Sequence, residues 1–373
     1  MTVLAGPRIV TPDGVLADGH LRVDGATIES VCPARPAGEV QPVDGAWIVP
    51  GFVDIHTHGG GGYTFTTGDP EQAQGVARFH LAHGTTTLLA SLVTSPPDLM
   101  VAATRAYAPL VDQGIIAGLH FEGPYLSHAR CGAQNPAHLR EPSTDELARL
   151  IGTGAGAVRM VTIAPELPGA LEAIAYLVDH GVVVAIGHTD ATYEQTLAGI
   201  AAGATVGTHV FNGMRPPHHR EPGPVFALLG SDSVTCELIG DGVHLHDGAL
   251  RFATTVTGAS RAALITDAMA GAGMPDGEYE LGGQGVTVSG GVARLTDGGS
   301  IAGSTLTMDV AFRRAVAAGL PVEEVARMAA TTPAAAIGRT DIGALQPGRR
   351  ADLVVLDAEL RVLRVMRAGT WVA

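Results

Sequence analysis

The sequence contains no lysine: all of its 23 basic residues other than histidine are arginines. This absence excludes Schiff-base catalysis by lysine, a phosphate-binding P-loop lysine and a metal bridge made by a carbamylated lysine. Acidic residues number 37, so the formal net charge is −14. Non-specific binding to nucleic acids or anionic membranes requires basic patches, and we expect neither partner. Any phosphorylated small molecule must be held by a few local arginines or histidines.

Cysteines are few and long apolar runs are absent. Cys32, Cys131 and Cys236 are far apart, which favours neither a disulfide framework nor a CxxC metal motif. No run of 18 apolar residues occurs that could span a membrane, and the opening MTVLAGPRIV does not have the pattern of a signal peptide. We therefore expect a soluble cytoplasmic protein, and the hydrophobic content of 46% predicts a large core.

Two kinds of sequence pattern occur in different parts of the chain. Short β-type segments separated by turns occupy residues 1–50 and 341–373, whereas apolar runs alternate with alanine-rich helical stretches over residues 51–340. The apolar runs cover residues 51–58, 85–94, 115–123, 158–166, 182–189, 204–212, 234–244 and 263–269. Eight such runs predict an α/β fold, a (β/α)8 TIM-like barrel. Neither terminal segment is long enough to bury its own core, so we expect both to form one small β-sandwich domain.

Candidate metal ligands and bases lie at the C-terminal ends of these runs, where barrel enzymes place their active sites. They are His56, His58, Glu122, His188, His209 and Asp267. The first two are separated by one residue, so in a strand both side chains point to the same face. Imidazole is a common metal ligand, although a buried histidine can also be a core residue whose hydrogen bonds are satisfied. The carboxylate and the histidines on other strands favour the metal site.

Two acidic residues have candidate roles in catalysis. Because no lysine can bridge two metal ions, the carboxylate of Glu122 is the candidate for that role; the alternative is a buried acid paired with an arginine. Asp267 is placed to act as general base and then general acid for a metal-activated water. Asp267 could instead cap a helix, but the following AMAGAGMPDG has the composition of a loop.

The motifs GFVDIHTHG, HFEGPY, GHTDA, THVFNGM, ITDAM and PGRRADLVVLD resemble those of the amidohydrolase superfamily. Within it, the combination of EGP, GHT-A, THxxNxM, REPG and GSxLTM is similar to the N-acetylglucosamine-6-phosphate deacetylase family, and the resemblance covers nearly the whole chain. This resemblance implies a metal-dependent hydrolase. The implied reaction converts N-acetyl-D-glucosamine 6-phosphate to D-glucosamine 6-phosphate and acetate, in amino-sugar catabolism and recycling.

The resemblance also implies roles for single residues. Glu122, His188 and His209 would bind one divalent metal ion, and His56 with His58 would bind a second, giving two ions per subunit. Zinc is the expected metal, while iron, manganese and cobalt suit the same ligands. Asp267 matches the catalytic aspartate of the family.

Substrate contacts follow from the same motifs. The resemblance assigns the phosphate to Asn212, Gly213, Arg220 and His244, with one contact supplied by the neighbouring subunit of a homodimer. Gln134 occupies the position of a histidine that in some family members is associated with the substrate carbonyl, and we expect it to form a similar hydrogen bond. Leu306, in GSTLTM, is expected to line the acetyl pocket.

Several alternatives stay open at this point. The sequence does not separate a glucosamine substrate from its galactosamine isomer. A D-aminoacylase or a cyclic amidase would use the same barrel and metal ligands, but would not need the phosphate-binding residues. A non-catalytic scaffold with this barrel is disfavoured, because such proteins usually lose metal ligands or the catalytic acid and here all are present.

Overall fold

The computed structural model describes residues 2–34 and 41–372 of the chain. Seven short strands come first: β1 (Thr2–Ala5), β2 (Arg8–Thr11), β3 (Gly14–Leu16), β4 (His20–Asp24), β5 (Thr27–Cys32), β6 (Gln41–Pro42) and β7 (Trp47–Pro50). Four of them form a sheet in the order β5-β4-β1-β6. Three of its apolar side chains, Leu4, Leu21 and Ile28, are fully buried.

Ten strands follow in the middle of the chain: β8 (Phe52–Asp54), β9 (Gly59–Gly60), β10 (Tyr63–Thr64), β11 (Thr85–Val93), β12 (Gly118–Glu122), β13 (Val158–Ile163), β14 (Val183–Ile186), β15 (Val206–Gly207), β16 (Thr235–Ile239) and β17 (Ala262–Ile265). All except the β9–β10 hairpin form one parallel sheet in the order β17-β16-β15-β14-β13-β12-β11-β8. Each of the eight predicted apolar runs overlaps one of these strands, which confirms the (β/α)8 barrel.

Polar contacts join the two edge strands and close the barrel. The Asp267 backbone N–H donates to the His56 carbonyl at 2.8 Å. The Thr266 hydroxyl donates to Asp54 Oδ2 at 2.5 Å. Asp54 is fully buried, and burial raises its pKa to about 7 even though its hydrogen bonds oppose that rise. The edges therefore meet through hydrogen bonds beside the ends of β8 and β17 rather than through a continuous ladder.

Helices connect successive barrel strands and cover the outside of the sheet. They are α1 (Pro70–Ala82), α2 (Pro97–Asp112), α3 (Thr144–Gly154), α4 (Ala170–Asp179), α5 (Tyr193–Ala201), α6 (Gly223–Gly230), α7 (Asp247–Thr257), α8 (Met308–Ala317), α9 (Val322–Ala326) and α10 (Thr332–Ala336). Short 3₁₀ turns cover His128–Arg130 and Pro136–His138, and a π turn covers Arg327–Thr331. Local sequence fixes several ends: Asp69 caps α1 ahead of Pro70, and Thr192 and Gln195 form a capping box on α5. None of the described helices is long and apolar enough to cross a membrane.

The remaining strands are β18 (Gly277–Leu281), β19 (Gln284–Ser289), β20 (Val292–Leu295), β21 (Leu353–Leu356), β22 (Val362–Arg367) and β23 (Thr370–Trp371). The first three form an antiparallel sheet. The last three join strands from the start of the chain in a sheet ordered β23-β22-β21-β7-β2-β3. Val354 pairs with Val49, so this sheet links both ends of the chain to the beginning of the barrel.

Two apolar layers position the site. One lies inside the barrel and includes Ile55, Leu89, Met160, Ile239 and Ile265. The other lies between the sheet and the surrounding helices and includes Phe52, Tyr107, Leu147, Leu228 and Phe312. Because the inner layer fills the barrel, polar side chains that follow the strands are collected at its C-terminal end.

Candidate metal centre and active site

The predicted metal ligands and the predicted base lie where the barrel strands end. Glu122 is the last residue of β12, and His56 lies two residues beyond the end of β8. His188, His209 and Asp267 each lie two residues beyond their strands, β14, β15 and β17. All five side chains are buried. The barrel thus brings together residues that are far apart in sequence.

Three of these residues have backbone in the left-handed region. The φ angles are 45° at His188, 26° at His209 and 50° at Asp267. For residues other than glycine this conformation is strained by roughly 1–2 kcal/mol. The chain leaves strand geometry at these positions, and the resulting turn directs each side chain into the end of the barrel. Such strain is typical of functional sites.

Glu122 is the centre of two groups of donor atoms. Its Oε1 lies 2.9 Å from Nε2 of His188 and 2.9 Å from Nε2 of His209. Its Oε2 lies 3.3 Å from Nε2 of His58, and its Oε1 is 3.6 Å from Nε2 of His56. The ligand atoms within each group, His56–His58–Glu122 and Glu122–His188–His209, lie within 4.8 Å of one another. Glu122 belongs to both groups, as expected for a carboxylate between two cations.

A hydrogen bond on the far side of the ring orients each histidine. The four Nδ1 atoms contact Glu237 Oε2 (His56, 3.0 Å), the Ser91 carbonyl (His58, 3.1 Å), the Arg130 carbonyl (His188, 2.8 Å) and the Asn212 carbonyl (His209, 3.2 Å). Since every partner is an acceptor, each Nδ1 carries a proton, and each Nε2 faces Glu122. Metal-binding histidines are held in this way.

The facing nitrogens suit bound cations. His56 Nε2 lies 3.3 Å from His58 Nε2, and His188 Nε2 lies 3.2 Å from His209 Nε2. Two lone pairs this close repel each other unless a cation or a proton lies between them. Neutral imidazoles with one carboxylate form a donor set for zinc, iron, manganese or cobalt. The residues of this metal centre (His56, His58, Glu122, His188 and His209) therefore fit divalent metal ions.

The electrostatics of the metal centre agree with that assignment. Burial would raise the pKa of Glu122, but the positive potential of His56 and His188 holds it well below its usual value. Burial likewise lowers the pKa of His58, but hydrogen bonds to Asp267 and Glu122 outweigh it and raise that pKa to about 9. The carboxylates are therefore anionic and create a negative potential at the imidazoles. The same potential attracts a divalent cation.

Asp267 lies against the histidine pair. Its Oδ1 is 3.1 Å from His58 Nε2 and 3.5 Å from His56 Nε2. Burial alone would raise the pKa of Asp267, but the interactions with His56 and His58 outweigh burial and lower this pKa below its usual value. The carboxylate is therefore ionised. The side chain also lines the cavity above the metal centre. An ionised carboxylate in this position has the geometry of a general base for water beside the metal centre.

A cavity of about 260 Å³ opens above the metal centre. Its walls include four residues predicted from the sequence to contact substrate: Gln134, Asn212, Gly213 and His244. Gln134 is buried, accepts a hydrogen bond from the Thr94 N–H at 2.7 Å, and donates to Glu122 Oε2 at 2.5 Å. Gln134 is therefore anchored to the metal centre in addition to facing the cavity.

Gly213 and His244 contribute to the cavity in different ways. A Cβ atom on Gly213 would lie 2.8 Å from His188 Nδ1, and the residue has φ +61°, so glycine is required for His188 to lie here. Nδ1 of His244 lies 2.7 Å from Asp241 Oδ2. Burial lowers the pKa of His244, but this hydrogen bond and the charge of Asp241 raise it above its usual value overall. An imidazole with a raised pKa therefore faces the cavity.

Two predicted substrate contacts do not line this cavity. Arg220 is exposed, and its Nη1 donates to His219 Nε2 at 2.8 Å. Leu306 is 5% exposed and packs in the apolar layer inside the barrel, with Val53, Ile55 and Ile265.

Sequence reasoning did not identify Glu237, which supports the metal centre. This fully buried residue of β16 accepts hydrogen bonds at Oε2 from His56 Nδ1 (3.0 Å) and from the His209 N–H (3.1 Å). The residue was visible as an acid within the apolar run VTCELIG. A buried carboxylate without a basic residue nearby in sequence was the available indication of a functional partner.

Comparison with known proteins agrees with this geometry. The model of the Amidohydrolase family matches residues 47–372, which is most of the chain. The chain belongs to the amidohydrolase family. This membership accounts for the barrel and for a cluster of histidines and a carboxylate at the C-terminal ends of its strands.

Among relatives of this amidohydrolase, the N-acetylglucosamine-6-phosphate deacetylase of Lysinibacillus sphaericus is 38% identical over 87% of this chain and 85% of that protein. The N-acetylgalactosamine-6-phosphate deacetylase of Escherichia coli O157:H7 is also 38% identical, over 98% of each chain. A solved N-acetyl-D-glucosamine-6-phosphate deacetylase from Mycobacterium smegmatis is similar with a TM-score of 0.97 and 47% identity, covering 99% of this chain and 98% of that one. It is an aspartate-to-alanine variant in complex with N-acetyl-D-glucosamine 6-phosphate.

Proposed function

We propose that this amidohydrolase hydrolyses the acetamide of N-acetyl-D-glucosamine 6-phosphate to D-glucosamine 6-phosphate and acetate. The observation that carries the proposal is the position of Glu122 between two histidine pairs, with the ionised Asp267 beside them and His244, whose pKa is raised, on the cavity wall. The similarity to the M. smegmatis deacetylase, which was solved with this sugar phosphate bound, supports the same substrate.

The metal centre is proposed to hold two divalent ions, with zinc the expected metal. Glu122, His188 and His209 would bind one ion, while His56 and His58 would bind the other and share Glu122. When bound, these ions supply Lewis acidity toward the acetamide carbonyl and lower the pKa of water. The Nδ1 hydrogen bonds fix the orientation of the four imidazoles, so that each would present Nε2 to a metal ion.

Asp267 is proposed as the residue that moves the proton. Its Oδ1 accepts a proton from the attacking water and then donates it to the amine nitrogen as the C–N bond breaks, so the carboxylate is regenerated. Gln134 holds Glu122 through its amide N–H and presents the same amide group to the cavity. The site thus has separate residues for binding the metal ions and for proton transfer.

The phosphate is proposed to bind on the side of the cavity formed by Asn212, Gly213 and His244. The protonated imidazole of His244 pairs with the phosphate dianion. Arg220 makes no ion pair with a carboxylate within the described residues, so its guanidinium is available to a phosphate. Because the net charge is −14, these cations act at short range rather than by long-range attraction.

Four further expectations belong to this proposal. The enzyme is a homodimer whose neighbouring subunit contributes a phosphate contact, and it acts in the cytoplasm. Residues 1–50 and 341–373 form one domain, and residues 51–340 form the barrel domain. Leu306 contributes to the acetyl pocket from the layer beneath the cavity.

A second candidate substrate is N-acetylgalactosamine 6-phosphate. The E. coli O157:H7 relative named for this substrate has the same identity to the chain as the L. sphaericus glucosamine enzyme. The two sugars differ only in the orientation of the hydroxyl at C4, and the acetamide and phosphate are shared. The metal centre therefore serves both reactions equally, and selectivity depends on the cavity walls.

Acetate release from a panel of substrates tests the proposal. The panel contains N-acetylglucosamine and N-acetylgalactosamine, each with and without 6-phosphate, and an N-acetyl-D-amino acid. We expect the highest kcat/KM for N-acetylglucosamine 6-phosphate and a loss of at least about tenfold without the phosphate. Metal-depleted enzyme is the control and should be inactive until a divalent metal is restored. A preference for the N-acetyl-D-amino acid, or equal rates with and without phosphate, would overturn the assignment.

A further inference from the structure

Four arginines surround a second cavity at the opposite end of the barrel from the metal centre. This basic cavity has a volume of about 190 Å³, and its lining includes Thr87, Ala117, Arg159, Arg339, Arg350 and Arg367. Thr87 lies near the beginning of β11 and Arg159 near the beginning of β13. Glu122 ends β12 four residues beyond Gly118, or roughly 13 Å along the strand. The basic cavity is therefore separate from the cavity above the metal centre.

Two of the four arginines have acidic partners. Arg339 makes two hydrogen bonds to Asp341, at 2.6 and 2.7 Å. Arg350 donates from Nε to Asp352 Oδ2 at 2.8 Å and from Nη2 to Thr87 Oγ1 at 2.8 Å. These contacts fix both guanidinium groups at the wall and neutralise two positive charges.

The positive charges of the other two arginines are not neutralised by an ion pair among the described residues. Arg367 is half-buried and donates to the Gly114 carbonyl, and Arg159 is exposed. Neither side chain is paired with a carboxylate in the part of the chain that the structure describes. Burial lowers the pKa of Arg367 and the nearby charge of Arg350 lowers it further, while the charge of Asp352 opposes this decrease. Positively charged arginines thus lie close together around this cavity, although the protein as a whole has a net charge of −14.

Local structure accommodates Arg159 at the cavity. A Cβ atom added to Gly118 would lie 2.1 Å from Cγ of Arg159, so the aliphatic stem of the arginine crosses the space that a side chain at 118 would occupy. Glycine at the beginning of β12 therefore permits the guanidinium of Arg159 to reach the cavity. Its placement depends on this close approach and not on an ion pair.

We propose that the basic cavity binds a phosphate dianion, either as inorganic phosphate or as a phosphate monoester. Guanidinium groups offer paired N–H donors that match phosphate oxygens, and the uncompensated charges of Arg159 and Arg367 balance a dianion. A volume of 190 Å³ exceeds that of a few water molecules, at about 30 Å³ each, and accommodates a phosphate group. The bound anion connects barrel strands to the segment that contains Arg339, Arg350 and Arg367, and stabilises that junction.

Calorimetric titration of the metal-loaded enzyme with inorganic phosphate at low ionic strength tests the proposal. We expect Arg159→Gln to weaken one class of phosphate site by tenfold or more, with kcat for deacetylation unchanged. Arg105→Gln is the matched control, because Arg105 is an exposed arginine of α2 without an ion pair among the described residues, and it should bind phosphate as the wild type does. Thermal unfolding should show a phosphate-dependent rise in Tm for the wild type and Arg105→Gln, and a smaller rise for Arg159→Gln.

A second titration uses D-glucosamine 6-phosphate in place of inorganic phosphate. Binding of both probes that is weakened by Arg159→Gln identifies a site for phosphate monoesters, and weakening for inorganic phosphate alone identifies a site for the free anion. The double variant Arg159→Gln/Arg367→Gln should lose the site altogether. Equal phosphate affinity in Arg159→Gln and the wild type would overturn the proposal, as would a single phosphate site that disappears only in His244→Gln.

Discussion

At the scale of single residues, the metal centre depends on hydrogen bonds formed away from the cavity. The Nδ1 partners of its histidines are three backbone carbonyls and one side chain, the carboxylate of Glu237. A carbonyl is fixed by the fold, whereas the carboxylate also adds a negative charge behind His56. Glu237 is therefore the partner whose replacement tests how orientation and charge support the metal centre.

Glu237→Gln should weaken metal binding at the His56–His58 position by about 10- to 100-fold. The substitution keeps the shape of the side chain but removes the charge that supports the Nδ1 proton of His56. Metal content after dialysis against a graded series of chelator concentrations measures the effect. Glu172→Gln is the control, because Glu172 is exposed on α4, and it should retain metal as the wild type does. Unchanged metal retention in Glu237→Gln would show that Glu237 has no supporting role.

Asp267→Asn should lower kcat by about 10²- to 10⁴-fold with a small change in KM, because an amide cannot accept the proton of the attacking water. Acetate release from N-acetylglucosamine 6-phosphate gives both constants. Asp179→Asn alters an exposed residue at the end of α4 and should behave as the wild type. A near-normal rate for Asp267→Asn would remove Asp267 as the base.

The sequence was sufficient to identify the metal-binding residues and the base, but not the residues that surround them. The six residues proposed as ligands or base meet at one end of the barrel, because the ends of parallel strands converge whatever the intervening helices are. Glu237 was missed, since its partner His56 is 181 positions away and only the fold brings them together. The exposure of Arg220 and the inward packing of Leu306 depend on loop conformation, which motif spacing does not encode.

At the scale of elements, Asp309 ties the beginning of α8 to the end of α1. Its Oδ1 accepts from the Thr307 hydroxyl at 2.6 Å and lies 3.1 Å from His83 Nδ1, while Oδ2 accepts from Arg313 at 2.8 Å. Burial would raise the pKa of Asp309, but the hydrogen bonds from His83 and Thr307 and the contact with Arg313 lower it to about 2. The ionised carboxylate therefore stabilises the folded state.

Asp309→Asn should lower the free energy of unfolding by about 2 kcal/mol at pH 7. The pKa of this carboxyl is lower in the folded protein than in the unfolded chain, so its contribution is present above about pH 4 and is lost as the pH falls toward 2. Urea unfolding at several pH values measures this, and the difference between wild type and variant should shrink on acidification. Asp297→Asn, at an exposed loop position, is the control. A difference that stays constant with pH would exclude the ionised carboxylate as the cause.

The apolar runs predicted correctly where the barrel strands lie, but they did not predict how long each strand is. The run 204–212 contains a strand of only two residues, β15, because the chain turns to left-handed backbone at His209 to place its imidazole in the metal centre. The run 51–58 likewise contains a strand of only three residues, which ends before His56. Apolar composition indicates which segments are buried, but the boundary of a strand at an active site is set by the side chain that it must present.

At the scale of the whole molecule, metal ions are expected to contribute to stability. The metal centre joins strands β8, β12, β14 and β15, and without cations its facing nitrogens must be protonated or repel one another. Removing metal by chelation should therefore lower Tm by about 5 °C or more, and zinc should restore it. Metal analysis after reconstitution should give two ions per chain. Saturation at one ion per chain would contradict the shared role of Glu122, and an unchanged Tm would contradict the structural contribution.

The sheet that combines strands from both ends of the chain has a consequence for how the protein is made. Strand β21 lies between β7 and β22, and Val354 pairs with Val49 across roughly 300 residues of sequence. During synthesis, β7 leaves the ribosome long before β21 exists, and the edge of β7 that pairs with β21 stays uncovered while the entire barrel is translated. The polypeptide must therefore keep this early strand from aggregating until the final segment emerges and completes the sheet.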